Sequence, residues 1–152
     1  MYLKSITVKG FKSFPDRTKL EFGPGVSVIV GPNGSGKSNV TDAVLWALGE
    51  QSPGAVRGQS MQDVIFAGAP GRQAGGHAEV ELILDDSEGS LGLGVPEIAV
   101  EEWLTPSKRS FWHKGIEPDV TVDRVREMIL RHSGRQSGLR TLREPELKRA
   151  EP

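Results

Sequence analysis

Eight consecutive residues, Gly31, Pro32, Asn33, Gly34, Ser35, Gly36, Lys37 and Ser38, place glycines, a cation and a hydroxyl at the spacing G-x-x-x-x-G-K-S. Each type has a reason to be there. Glycines let backbone N–H groups converge on phosphate oxygens without a Cβ in the way, and a helix starting at the loop adds its partial positive charge. Lys37 would then reach the β- and γ-phosphates, and the Ser38 hydroxyl would ligate Mg²⁺. The predicted chemistry is binding of a nucleoside triphosphate. Mg²⁺ is the expected metal, and Pro32, Asn33, Gly34, Ser35, Gly36, Lys37 and Ser38 are the residues of the cradle.

Such a loop works only between a strand that delivers it and a helix that receives it. The preceding run VSVIV reads as that strand, and Gly23-Pro24-Gly25 turns the chain into it. After the loop, Val40, Ala43, Val44, Ala47 and Leu48 recur on one helical face, with Gly49 placed to stop the helix. Trp46 lies near that face and reads as packing rather than as a stacking platform for adenine. The motif opens only at Gly31, leaving room for two earlier strands, LKSITVKGF and TKLEF, separated by Gly10, Pro15 and Asp16. Residues 51–76 read as a loop around a short packed element, DVIFAG. AEVELIL and EIAVEEWL read as two more strands, joined by the polar turn DDSEGSLGLG. A helix is expected at TVDRVREMILRHSG, capped by Thr121 or Asp123 and closed by Gly134, before a charged, weakly patterned end.

Composition narrows the function classes. The 152 residues are 36% hydrophobic, enough for one ordinary core. No apolar run is long enough to span a bilayer and the first residues lack signal-peptide character, so a cytoplasmic location is expected, with no membrane partner. The absence of cysteine excludes disulfides, thiolate zinc sites and a thiol nucleophile. A net charge of −1 gives no overall attraction to nucleic acid, so DNA would have to be met by local basic patches. Lys9 and Lys12, flanking the first turn, are candidates for that, although lysines at a strand end are ordinarily solvated.

Three stretches together, LKSITVKGFKSF, VIVGPNGSGKSNVTDAVLWALGEQS and RGQSMQDVIFAG, resemble the N-terminal half of the ATPase head of the SMC (structural maintenance of chromosomes) family. The likeness runs from Met1 to about Val100. It implies an α/β fold, a partial ABC-type P-loop ATPase head with a mixed sheet whose antiparallel front strands surround one phosphate-loop helix. Family heads are built from the two ends of a long chain separated by a coiled-coil arm, and two heads sandwich two ATP molecules. The resemblance therefore implies a C-terminal head half and a second head as partners, with DNA as a further one, in chromosome condensation and segregation. It also implies ATP with Mg²⁺ as the cofactors, with Asn33 to Asn39 wrapping the phosphates, and gives Arg57, in VRGQSMQDVIFAG, a part in nucleotide sensing near the dimer interface and in stimulation by DNA. Judged by residue type alone, Arg57 is a solvated loop arginine.

Hydrolysis needs more than a phosphate cradle: a carboxylate-bearing strand must hold Mg²⁺ and polarise water, and a partner head must close over the γ-phosphate. VELILDDSEG ends in acids as such a strand would, but Glu79 and Glu81 alternate with Val80 and Leu82, as in a half-exposed antiparallel strand. Asp85 and Asp86 then read as an acidic turn. No Leu-Ser-Gly-Gly signature occurs, and Gln136 does not match the family's glutamine loop. The expected organisation is an SMC-like half-head over 1–103, a turn-rich segment with a short helix over 104–134, and a disordered end over 135–152. Residues 104–122 resemble a segment near the end of the carboxyl-terminal processing serine proteases, without that family's catalytic motif. Ser107, Ser110 and His113 have no ordered base or oxyanion loop and are expected to be surface groups, and His77, His113 and His132 lack ligand spacing. The expected function is ATP binding by an SMC-type half-head that turns over ATP poorly alone. A non-enzymatic nucleotide-binding or interaction module needing a separate C-terminal half is the alternative, and a protease-related fusion remnant a third.

Overall fold

The structure is a computed structural model that describes residues 1–106 and Glu127. Four strands form one antiparallel sheet in the order β2-β1-β3-β4: β1 (Tyr2–Lys9), β2 (Thr18–Glu21), β3 (Ala78–Asp85) and β4 (Glu97–Leu104). These are the front strands expected from the sequence. On β3 the alternation is complete, with Ala78, Val80, Leu82 and Leu84 buried and the residues between them half-buried. A period of two aims one set of side chains at a helix and leaves the other at the opposite face. Register then aligns like with like: Ile6 lies opposite Leu82 and Val8 opposite Val80.

Helix α1 (Lys37–Ala47) packs against β3 and β4. Val40, Ala43, Trp46 and Ala47 are buried, while Val44 and Leu48 pack at the margin of the core. Phe11 and Trp46 stack at the centre, ring centroids 5.4 Å apart. The helix ends at Gly49, whose left-handed φ of 85° lets its N–H reach the Trp46 carbonyl at 2.9 Å. The DVIFAG element is a short 3₁₀ helix (Met61–Val64) followed by buried Ile65 and Phe66. It is held to the β1 end of the sheet by backbone bonds from Lys12 to Val64 (2.7 Å) and from Phe66 to Gly10 (2.7 Å).

One expectation fails. Residues 26–30 do not form a strand: they carry no strand assignment, and Val26, Val28 and Val30 are 94%, 76% and 83% exposed. Among the described residues no strand pairs with this segment. The valine-rich run is suited to a strand covered on both faces, and it joins neither open edge of the sheet, β2 or β4, so it has no partner among the described residues. Of the helix expected over 121–134, only Glu127 is described, and it is helical. Ser107, Ser110, His113, His132, Gln136 and the charged end lie outside the described residues.

Candidate nucleotide-binding site

The loop of residues 31–36 runs into α1 through Gly36, which occupies the N-cap position with φ 86°. A Cβ on Gly36 would sit 2.6 Å from the Ser13 Oγ and 3.3 Å from the Phe14 ring, so this position favours glycine for its conformation, and a larger residue would also have to displace Ser13. A Cβ on Gly31 would meet the Ser35 Oγ at 2.8 Å. The Ser35 N–H donates to the Pro32 carbonyl at 3.3 Å and the Asn39 N–H to the Gly36 carbonyl at 2.9 Å, closing the turn onto the helix. No side chain caps the N-terminus of α1, and no acid lies in its first turn. Its leading N–H groups and partial positive charge are therefore not matched by a protein anion.

The Lys37 ammonium lies back over the loop, donating to the carbonyls of Gly31 and Pro32 at 2.6 Å each and to the Ser35 Oγ at 3.5 Å. Ser38 is exposed on the first turn, and Asn39 donates through Nδ2 to the Ser13 Oγ at 2.8 Å. The donor set suits a polyphosphate: a loop without obstructing Cβ atoms, an uncapped helix start and an ammonium on a flexible stem. Residues 31–39 would hold the phosphates, and the Ser38 hydroxyl would face Mg²⁺.

Behind the loop lies a cluster the sequence did not announce. Asp42, two turns into the motif's helix, is buried, its side chain 4% exposed, and it is shared by two cations. Arg57 grips it with Nε at 3.1 Å from both carboxylate oxygens and with Nη2 at 2.6 Å from Oδ2. Lys12 also donates to Asp42 Oδ2, and to the Val56 carbonyl. The same Nη2 of Arg57 reaches the Asn39 Oδ1 at 3.4 Å. Lys12 is thus not an exposed cation for DNA: its side chain is 11% exposed and fully engaged inward, a correction to the reading of its residue type. Nor is Arg57 simply solvated, since its half-exposed guanidinium is anchored to the phosphate-loop helix. A clue to Asp42 was available, because it precedes Trp46 by four residues and so shares a stripe with the largest buried side chain of α1.

The chain just beyond Arg57 is pinned by Asp63. Its carboxylate accepts the N–H groups of Gln59 (2.7 Å) and Ser60 (2.9 Å) and the Ser60 hydroxyl (3.1 Å). Those donors, the Ser60 N–H first, hold the Asp63 carboxyl below its ordinary value. Asp85 and Asp86 fasten the turn after β3. Asp85 accepts from the N–H and hydroxyl of Ser87, and buried Asp86 accepts the Leu91 N–H at 3.1 Å. His77 stacks on Trp103 with centroids 5.9 Å apart, and no metal-binding group of His, Asp and Glu occurs among the described residues.

Comparison with known proteins places this geometry. A model of the RecF/RecN/SMC N terminal domain matches residues 2–129, a span that crosses the segment 104–122. Over 100 residues, covering 66% of this chain, the sequence is 56% identical to the chromosome partition protein Smc of Desulfitobacterium hafniense and 50% identical to that of Bacillus subtilis. The chain spans only about 8% of the length of those relatives. Among solved structures, an Smc head bound to the C-winged helix domain of ScpA superposes with a TM-score of 0.69 at 34% identity, covering 72% of this chain and 34% of that one. A chain solved in work on ATP-driven dimerization and DNA-stimulated activation of SMC ATPases gives 0.76 at 25% identity, covering 98% and 90%. The four-stranded sheet, its phosphate-loop helix and these matches agree, and the chain belongs to the RecF/RecN/SMC N-terminal domain family as an N-terminal segment of the SMC head.

Proposed function

We propose that the chain binds Mg·ATP through residues 31–39, as the nucleotide-holding N-terminal half of an SMC-type ATPase head serving chromosome partition. The observation that carries this reading is the loop itself. Gly36 holds a left-handed φ with Ser13 and Phe14 close behind it, and it opens a helix whose N-terminus no side chain caps, with Lys37 folded over the place a phosphate would take. Lys37 would exchange its carbonyl partners for phosphate oxygens, Ser38 would hold Mg²⁺, and Arg57 would respond to the bound nucleotide. When bound, ATP supplies a transferable γ-phosphoryl group whose charge these residues offset.

Hydrolysis and chromosome-associated work are assigned to an assembly with a C-terminal head half, a second head and DNA, in the cytoplasm. Exposure of Val26, Val28 and Val30 favours this, because a valine-rich run beside the loop gains stability only when flanking strands cover it. The same exposure supports a second reading, a binding module with no turnover of its own.

The test is equilibrium binding of a fluorescent ATP analogue with Mg²⁺, with phosphate release followed in parallel. Lys37→Ala is expected to weaken binding at least ~10-fold while leaving the fold intact, since the lysine bonds only exposed loop atoms. Lys37-dependent binding that gains turnover on adding a C-terminal head half supports the ATPase reading, and binding that never gains turnover supports the binding module. Absence of binding by folded protein overturns both.

A further inference from the structure

We propose that Asp42 is a positioning residue that holds the Arg57 guanidinium beside the phosphate loop, with Lys12 serving as the counter-ion that stays on Asp42 when Arg57 turns to phosphate. The proposal rests on the nucleotide-binding reading above and concerns a residue that reading does not use. Its basis is the sharing of one buried carboxylate by two cations of different exposure, with Lys12 also close enough to the Asp63 carboxylate to lower its pKa. Lys12 alone, inward-facing and nearly buried, would neutralise Asp42. Arg57 is therefore not needed to keep a buried anion paired.

The positions of the two cations differ in a way that fits different roles. Lys12 is sealed in by its bonds to Asp42 and to the Val56 carbonyl. Arg57 keeps half its side chain in solvent, and its Nη2 extends past Asp42 to Asn39, the residue after Ser38. Asn39 in turn holds Ser13, whose Oγ abuts Gly36. A continuous set of contacts thus runs from Asp42 through Arg57 and Asn39 to the loop. The backbone is shaped for this: Arg57 has φ 54° and Lys12 φ 47°, left-handed conformations uncommon outside glycine, and both direct a cation to the same carboxylate. An anion at the loop competes with Asp42 for Arg57, and because Lys12 remains, release leaves no unpaired buried charge. The half-exposed Arg57 guanidinium is the cation an incoming polyphosphate can draw on.

The test joins a double-mutant cycle to a probe of Arg57 that needs no nucleotide. In the nucleotide-free chain, the Arg57 Nε–H is expected to give a distinct, exchange-protected ¹⁵N resonance that Asp42→Asn abolishes and Mg·ATP shifts. Asp42→Asn and Arg57→Ala are each expected to weaken Mg·ATP binding ~5-fold, and the double variant no further, as for two groups acting through one contact. Should Asp42→Asn not fold, Lys12→Met with Asp42→Leu removes the buried pair in volume-matched form and leaves Arg57 untethered, with the same expected loss. Full Mg·ATP affinity in either folded variant, additive losses in the cycle, or an Arg57 resonance unmoved by bound Mg·ATP overturns the proposal. Failure of the unaltered chain to bind Mg·ATP overturns the nucleotide reading and this role with it, and the Nε–H resonance then still reports whether the Asp42 tether exists.

Discussion

Strand β3 and residues 26–30 are both written in aliphatic and β-branched residues, yet β3 buries Val80 and Leu82 completely while Val26, Val28 and Val30 stand in solvent. The difference lies in what surrounds them. β3 has β1 on one edge, β4 on the other and α1 across one face, all supplied by the described chain. Residues 26–30 have no strand neighbour among the described residues. Sequence pattern specifies that a segment is fit to be buried, and only the presence of partners decides that it is.

The largest expected difference comes from truncating one side chain of the packed unit, on α1, and two of the exposed run. Trp46→Ala empties the space between Phe11, α1 and the sheet and is expected to destabilise the fold by about 3–5 kcal/mol. The double substitution Val28→Ser, Val30→Ser is expected to change stability by less than about 0.5 kcal/mol and to raise solubility. Urea denaturation followed by tryptophan fluorescence and far-ultraviolet circular dichroism measures both. A large loss from the valine pair would mean that residues 26–30 are already covered, and the contrast would collapse.

This contrast also explains what was legible in the sequence. The front strands and α1 could be read because period-two and helical spacings report a burial that the described chain itself completes. The proposal that residues 31–38 hold phosphate has a different source, residue types suited to a ligand's chemistry, and what the structure adds is the left-handed Gly36 that opens α1. The expectation of a strand at 26–30 failed because an apolar run carries no record of whether its flanking strands are present. Lys12 and Asp42 were illegible because they lie 30 positions apart and meet only in three dimensions. A lysine after a strand and an acid within a helix each look like solvated charges until they are paired. Arg57 was placed by resemblance, and its bonds to Asp42 and Asn39 became visible only with the fold.

A smaller effect separates backbone cost from packing. Gly25 and Gly36 both have left-handed φ, 95° and 86°, but a Cβ on Gly25 meets nothing within 4 Å whereas one on Gly36 meets Ser13 and Phe14. Both substitutions to alanine carry the conformational penalty of about 1–2 kcal/mol. Gly36→Ala is expected to cost roughly 1 kcal/mol more, from displacing Ser13 and crowding Phe14, and to weaken nucleotide binding as well. Equal losses at the two glycines would show that the loop yields to the added methyl group and that its tight packing is not needed.

The smallest expected difference is in pH response, where the two regions divide by composition. Residues 23–30, GPGVSVIV, contain no titratable side chain, whereas the front unit holds carboxylates fixed by hydrogen bonds. Asp63 is held below its ordinary value of 3.8 by the N–H groups of Ser60 and Gln59 and by the Ser60 hydroxyl, and Asp85 by the N–H and hydroxyl of Ser87. A carboxyl depressed in the folded state adds stability that is fully present above its unfolded value and is lost as pH falls through the folded one. The urea midpoint is therefore expected to decline as pH drops from about 5 toward 3, and Asp63→Asn should flatten part of that decline. Because Asp63 fastens the loop carrying Arg57, acid should also loosen Arg57 from Asp42 before the sheet opens, seen as loss of Nε–H protection ahead of the loss of strand signal. Simultaneous loss of the two would show that the Arg57 loop and the sheet form one cooperative unit.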